Sequence, residues 1–403
     1  MTETKHGLQN LFGMPEEEKT PQRETEAPSD SGTAGAEPSV PTIEGVSNPV
    51  LTPQPEPSEP FPVTPAAPQE APARPSPAPA ARTGTATLSC VVLALSGWAA
   101  ARRTLEALRA QTQAGRIELI AVGINALTDA EAGEEFAAVR TLVLDRGVSW
   151  ADAAAAGLLA ANGQLVALLD DYAFPARDWA EHVLTHQNDR FAALGSSLSN
   201  ANPRSRYSWA NMLLENGRWR EGMHGGEVDA LPARNLVFRR DALAPLSDEL
   251  PRLLRKEGAL VRHLRESGQP LKMEDEALIG ILNPSTFNAT LKARFAEGRL
   301  AAASEGHRMS GAKRIAKALP ALFSPYPRYR REKTRLFLGG DVSVNPKTHG
   351  RAVLLGMMSE GAGRAAGYLR GPGKAERVKD ALTRNRAQHL SKTDRRQFAA
   401  RRD

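Results

Sequence analysis

The residues best placed to do chemistry in this 403-residue chain are two adjacent carboxylates, Asp170 and Asp171. They fall in Gln164-Leu-Val-Ala-Leu-Leu-Asp-Asp-Tyr-Ala-Phe-Pro175, where an apolar run from Leu165 to Leu169 stops at the first acid. A short apolar run between turn signals reads as a buried strand, although periodicity alone does not separate it from a helix segment. Two charges at the end of a buried strand are costly unless something satisfies them. A divalent cation, a ribose hydroxyl or a backbone amide would each do so, and a simple turn cap is the bland alternative. A second acidic run, Glu274-Asp275-Glu276, is spaced from Gly268 as an exposed turn would be. Trp179 reads as a core anchor, whereas Trp209 and Trp219 lie in loop-rich sequence where stacking on a ring is open to them.

Several elements must position that acidic pair. Upstream, Ser149 is an N-cap candidate with Asp152 three residues on, and the alanine-rich run to Asn162 suits a helix that Gly163 would end. Earlier, Ser89–Leu95, Ile117–Val122 and Val139–Leu144 read as strands, with a helix from about Trp98 to Gln113 after the first. Strand and helix therefore alternate up to Leu169, the signature of an α/β fold whose parallel sheet is covered on both faces. In such sheets ligands bind at the carboxyl ends of the strands, where Asp170 and Asp171 fall. Further on, the pattern predicts a helix from Trp179 to about Asn188, loops and short strands over 196–230, and a helix from Leu253 to Ser267.

Several chemistries are disfavoured. The first strand–helix junction, Ala94-Leu-Ser-Gly-Trp98, lacks the Gly-x-Gly-x-x-Gly spacing of a dinucleotide fold and the phosphate loop ending in Gly-Lys-Ser/Thr. No Ser, Cys or His nucleophile motif is present, and the eight histidines do not cluster at metal-ligand spacing. Cys90 is the only cysteine, so no intramolecular disulfide forms, and its apolar surroundings make it a core residue. No apolar signal region opens the chain and no stretch approaches a spanning helix, so a cytoplasmic protein is expected.

Charge divides the chain. Residues 1–85 carry 5 basic and 12 acidic side chains, and residues 301–403 carry 23 basic and 8 acidic. The formal net charge of +6 thus describes the carboxyl end, which argues against a general nucleic-acid binder. Residues 1–85, rich in Pro, Glu and Ala, are expected to be a disordered tether with one short helical candidate at Leu8–Phe12. Residues 301–372 read as a basic, partly amphipathic helical extension and 373–403 as a basic tail that frays. The mixture of Arg, Lys, Leu, Phe and Tyr over Arg314–Arg331 suits either an anionic membrane surface or helices packed on the catalytic unit.

The order of segments over roughly 87–300 resembles the family-two glycosyltransferases. Cys90–Gln113 is similar to their first nucleotide-binding unit. Leu168-Leu-Asp-Asp-Tyr-Ala-Phe-Pro-Ala-Arg-Asp-Trp179 resembles their acidic motif, and Ala233-Arg-Asn-Leu-Val-Phe-Arg-Arg-Asp-Ala-Leu243 their Asn-then-basic stretch. Asp248-Glu249 and Glu257, followed by Leu260, Leu264 and Gly268, match the spacing of the base motif; Asn283–Phe287 and Arg294–Arg299 continue the likeness, and Gly361–Gly371 echoes it weakly. The resemblance implies a GT-A-like, mostly parallel sheet flanked by helices over 86–300. It also implies an inverting transfer of a sugar from a nucleotide-sugar donor to a glycan or lipid-linked hydroxyl. By resemblance Glu257 is the catalytic base, and Ser96, Asn125, Asp170, Asp171, Asn235, Arg239 and Arg240 surround the donor. Asp171 would hold Mg²⁺ or Mn²⁺.

This chain departs from the family pattern at three places. Gly123 stands where the acid after the second strand is usual, Tyr172 where the second acid of the metal motif falls, and Gly258 where the base motif has Asp. Asn125 or Asp129 would then replace the first acid. The competing expectation is a catalytically degenerate, glycosyltransferase-like scaffold or binding protein.

Overall fold

The structure, a computed structural model, describes residues 87–337 and 344–399. The tether and the helical candidate at Leu8–Phe12 lie outside the described residues.

Nine strands form one sheet: β1 (Leu88–Ala94), β2 (Ile117–Gly123), β3 (Ala138–Val143), β4 (Leu165–Asp170), β5 (Ala173–Pro175), β6 (Ala193–Asn200), β7 (Gly226–Glu227), β8 (Leu236–Arg239) and β9 (Leu271–Ile281). The order is β3-β2-β1-β4-β8-β6-β9-β5, with β7 also on β9. The first four strands are mutually parallel, as their alternation with helices requires. Beyond β4 the sheet becomes mixed: β8 runs antiparallel to both β4 and β6, and β5 and β7 run antiparallel to β9.

Every residue of β1 and of β4 is buried, the mark of strands covered on both faces. Their side chains alternate between two cores. Cys90, Val92, Ala167 and Leu169 join Trp98, Leu105 and Leu108 of the helix Trp98–Arg109. Val91, Leu93, Val166 and Leu168 join Ala153, Ala154 and Leu158 of the helix Trp150–Ala160. Ser149 caps that second helix as expected, its hydroxyl accepting the Asp152 N–H at 3.1 Å. Gly163 does not end the helix, which stops at Ala160. It is glycine because β1 passes so close that a Cβ would lie 2.6 Å from the Ser89 amide nitrogen.

Two other segments differ from the sequence expectation. The stretch read as loops and short strands, 196–230, holds the end of β6 and all of β7 but also a full helix, Arg206–Asn216, capped by Ser205. The helix expected over 253–267 is two, Leu250–Arg255 and Ala259–Glu266, broken at Gly258 with φ 68°. Glu274–Glu276 belong to β9, at the point where its register against β6 shifts.

The carboxyl-terminal third packs onto this layer. Helix Pro346–Arg370 lies along Phe287–Gly306, and the contacts Ser359 to Leu291, Gly363 to Phe295 and Gly367 to Arg299 advance together, so the two run parallel. The small residues four apart let the backbones touch: a Cβ at Gly363 would meet the Phe295 carbonyl oxygen at 2.1 Å. The family echo at Gly361–Gly371 is thus a helix-packing stripe. Residues 374–399 do not fray as expected. They form the helices Ala375–Arg384 and Lys392–Ala399, with Leu390 and Asp394 buried. The anchors are polar, which hid them from a hydropathy reading: Asn202 donates to Asp394 at 3.1 Å and the Ser391 N–H to Ser285 at 2.7 Å.

Candidate functional site

β1 connects to β2 on one side, whereas β4, on its other side, follows from β3. The strand order therefore reverses between β1 and β4, and their carboxyl ends open a crevice where α/β sheets bind ligands. Ser96 lies just past the end of β1, and Asp170 and Asp171 at the end of β4.

Asp170 is buried and fully engaged. Its Oδ1 accepts from the Trp150 indole at 2.7 Å, its Oδ2 from the Tyr172 hydroxyl at 2.6 Å, and Arg234 donates to both oxygens at 3.3 and 3.4 Å. Its backbone N–H donates to the Asn235 side chain at 2.9 Å. Asn235 has φ 58°, a left-handed conformation that asparagine tolerates better than most residues, and there it acts as a clip on the end of β4. Asp170 is thereby a fixed, positioning carboxylate. Asp171 beside it is only half-buried, yet burial and the charge of Asp170 push its carboxyl up to about 7, against the pull of Arg386 and Arg234. The Tyr172 phenol is held well above its usual range by burial and by Asp170.

Arg234 links the acidic pair to the expected base. Its guanidinium stacks on Trp150, 4.1 Å from the ring centre, and its Nε lies 3.8 Å from Glu257. Burial disfavours its charge, but Asp170 outweighs this and raises its pKa. Glu257 sits in the break between the two short helices and is paired with Lys379 from the carboxyl-terminal segment. Lys379 also faces Glu297 at 3.7 Å, and Glu297 pairs with the buried Arg294 at 2.6 Å. Trp150, Arg234, Asn235, Glu257, His307 and Lys379 line one cleft of about 1390 Å³.

The other residues singled out from sequence divide. Asn125 is exposed just beyond β2, its carbonyl accepting the Trp98 indole N–H at 2.9 Å. That indole explains the missing acid at Gly123, where a Cβ would lie 2.8 Å from Trp98 Cζ2. The Ser96 hydroxyl donates to the Arg384 carbonyl. Arg239 and Arg240 are not brought to the crevice. Because β8 runs against β4, Arg239 pairs with Leu165 and binds the carbonyls of Gln187 and Asp189, at the opposite end of the sheet. The same reversal carries Arg234, two residues before β8, to Asp170. Its signal was in plain view beside Asn235, but only the strand's direction tells which arginine matters. Trp150, Lys379 and Arg386 were likewise not anticipated.

A magnesium or manganese ion takes about six oxygen ligands, usually through one or two carboxylates plus phosphate and water. The residues here leave it a single carboxylate, the least of that set. Both Asp170 oxygens already accept hydrogen bonds, Tyr172 replaces the second acid, and Asp171 alone remains. Among the described residues no group of three ligating side chains occurs.

No protein-family profile and no curated protein matches the chain. Among solved structures, S. aureus TarS 1–349 in complex with UDP-GlcNAc is 13% identical, over 49% of this chain and 58% of that one, with TM-score 0.37. The chain thus spans 58% of that 1–349 chain and 37% of a longer TarS chain. S. aureus TarS 1–349 alone is 12% identical over 74% and 89% of the two chains, TM-score 0.38. The mannosyltransferase PcManGT from Pyrobaculum calidifontis, in complex with GDP-Man and Mn²⁺, is 16% identical over 79% and 84%, TM-score 0.36.

Proposed function

We propose that this chain is a glycosyltransferase that moves a sugar from a nucleotide-sugar donor to a hydroxyl acceptor with inversion. The observation that carries the reading is the acidic corner Asp170–Asp171 at the reversal point of the sheet, with Asp170 joined through Arg234 to Glu257, two residues that line one cleft. The ordered sequence motifs of the family-two enzymes fall on these same residues. In the reaction, the acceptor oxygen bonds to the anomeric carbon as the bond to the diphosphate breaks, and the electron pair leaves with the nucleoside diphosphate. Glu257 takes the hydroxyl proton, while Arg234, in this reading, offsets the negative charge that develops on the leaving group. Residues 86–300 are the catalytic unit in this reading, and the helices after 300 wall its cleft.

A second reading, a donor-binding scaffold without turnover, draws on the Glu257 carboxylate being held by both Lys379 and Arg234. One experiment separates them: thermal shift of the full chain with UDP-, GDP- and dTDP-sugars, followed by assay for released nucleoside diphosphate. Stabilisation by one nucleotide class with slow release of product supports the transferase. Stabilisation without release supports the scaffold, and no stabilisation by any of them refutes both.

The acceptor, in this proposal, is presented at an anionic membrane surface. The helix Gly311–Phe323 turns its small residues Ala318 and Ala321 inward onto Ala302, Ala365 and Tyr368. Its large apolar residues face outward: Ile315 and Leu319 are each 63% exposed and Phe323 71%. Exposed Lys313, Arg330, Arg331, Lys333 and Arg335 lie on this helix and the next, Pro325–Phe337. An apolar stripe flanked by cations fits the boundary of an anionic bilayer, each near-surface cation adding about 1 kcal/mol. No helix among the described residues is long and apolar enough to cross a membrane. The chain should float with vesicles containing phosphatidylglycerol and not with phosphatidylcholine alone, and Leu319→Glu with Phe323→Glu should abolish this. Failure to float with either vesicle removes the membrane from the picture.

A further inference from the structure

We propose that Arg386 and Arg234 together hold the donor's diphosphate, so that nucleotide binding needs no divalent cation. The inference rests on the nucleotide-sugar reading and names how that site meets the charge of its ligand. A diphosphate brought to two bare carboxylates would be repelled, and enzymes of this kind of chemistry interpose a cation. Here the carboxylates are not bare. Arg234 lies on Asp170, and a second guanidinium, that of Arg386, lies with its central carbon 3.6 Å from the ring centre of Tyr172. Tyr172 is the residue that stands in place of the usual second acid. One metal ligand is lost at that position, and its replacement carries a cation on its ring while its hydroxyl ties Asp170 in place.

Arg386 is held there by a fixed part of the fold. The segment that bears it is pinned on both sides: Arg384 donates to the Val148 carbonyl at 2.8 Å, the Ser96 hydroxyl donates to the Arg384 carbonyl, and Ser285 donates its N–H to the His389 carbonyl at 3.0 Å. The first two contacts lie at the mouth of the β1–β4 crevice, since Ser96 follows β1 and Val148 precedes the Trp150 helix. Arg386 spends one nitrogen, Nη1, on the Leu282 carbonyl at 2.8 Å. Its Nε is buried and has no acceptor. A buried N–H donor without a partner is rare in a folded protein and marks a place for an absent acceptor. Planar guanidinium groups match phosphate oxygens well, and a pair of them supplies the two positive charges that a divalent ion would bring.

The test is binding of UDP, GDP and dTDP to the full chain by calorimetry, once in EDTA and once with Mn²⁺. For the nucleotide that binds, the two affinities should agree within a few-fold. Arg386→Met, which keeps the bulk over Tyr172, should weaken binding about tenfold or more in EDTA, with Arg386→Lys falling between. Unfolding of the nucleotide-free variants serves as the check on folding. If Arg386→Met unfolds early, the Arg386→Lys comparison decides, since a purely structural arginine would leave affinity unchanged in the folded lysine variant. Binding that collapses in EDTA and is indifferent to Arg386 overturns this inference and leaves the transferase reading standing. Binding of no nucleotide under either condition overturns both.

Discussion

Glu257→Gln is expected to lower turnover by roughly 10²- to 10⁴-fold, the usual worth of a positioned general base. Donor affinity should stay within a few-fold of the native chain. The side chain does not touch Asp170, and its one link toward the acidic corner is the 3.8 Å approach of Arg234. Glutamine keeps the size of the carboxylate but cannot take up a proton, so the loss should fall on kcat. Lys379 complicates this in a useful way. In the structure it occupies Glu257, so an acceptor hydroxyl must displace it or share the carboxylate with it. Lys379→Met should then raise the pH-independent rate or leave it unchanged if Lys379 only masks the base. It should lower the rate if the lysine orients Glu257. Native turnover in Glu257→Gln would move the base elsewhere and leave Glu257 as a structural ion pair.

The second large effect concerns pH. An aspartate in an unfolded chain titrates near 4, whereas the Asp171 carboxyl in the fold titrates at about 7. Between those values the folded chain binds a proton that the unfolded chain does not. Raising the pH through that window therefore costs stability, and the loss is complete once the pH passes the folded value. Over roughly three pH units the full linkage is about 4 kcal/mol; since Asp171 is partly exposed, solvent screening reduces it to about 2–4 kcal/mol. Asp171→Asn should remove this slope. Near pH 4 the variant and native chain should unfold at similar temperatures, and at pH 8 the variant should be the more stable by several degrees. A native chain whose unfolding temperature is flat from pH 5 to 8, or a variant that keeps the native slope, would show that Asp171 ionises normally.

The parallel half of the fold was legible because its strands are nearly unbroken apolar runs. β1, β2, β3 and β4 match the sequence reading to within a residue or so, and the Ser149 cap was visible from its Asp152 partner. The extent of β6 within a stretch read only as loops and short strands was not legible, because Ser196 and Ser197, polar residues that are fully buried, interrupt its pattern. The Trp179 indole donates to Ser196 at 2.9 Å, a tertiary partner no local signal announces. The helix Arg206–Asn216 hid behind Asn211, which is buried on polar partners from Pro284 and Thr290. In the site, the acids Asp170, Asp171 and Glu257 could be picked out by type and spacing, but their partners could not. Which arginine meets Asp170 depends on the direction of β8, and Lys379 and Arg386 come from a segment more than a hundred residues downstream of Glu257.

The last helices of the chain have a consequence for synthesis. Eight of the nine strands, the acidic corner and Arg234 are translated before residue 240, yet Lys379 and Arg386 arrive more than a hundred residues later. A polypeptide released early by the ribosome, or clipped by a protease after the parallel helix pair, could form its strands and still leave the crevice unwalled. The walls of the cleft are thereby set by residues made long after the sheet that they cover.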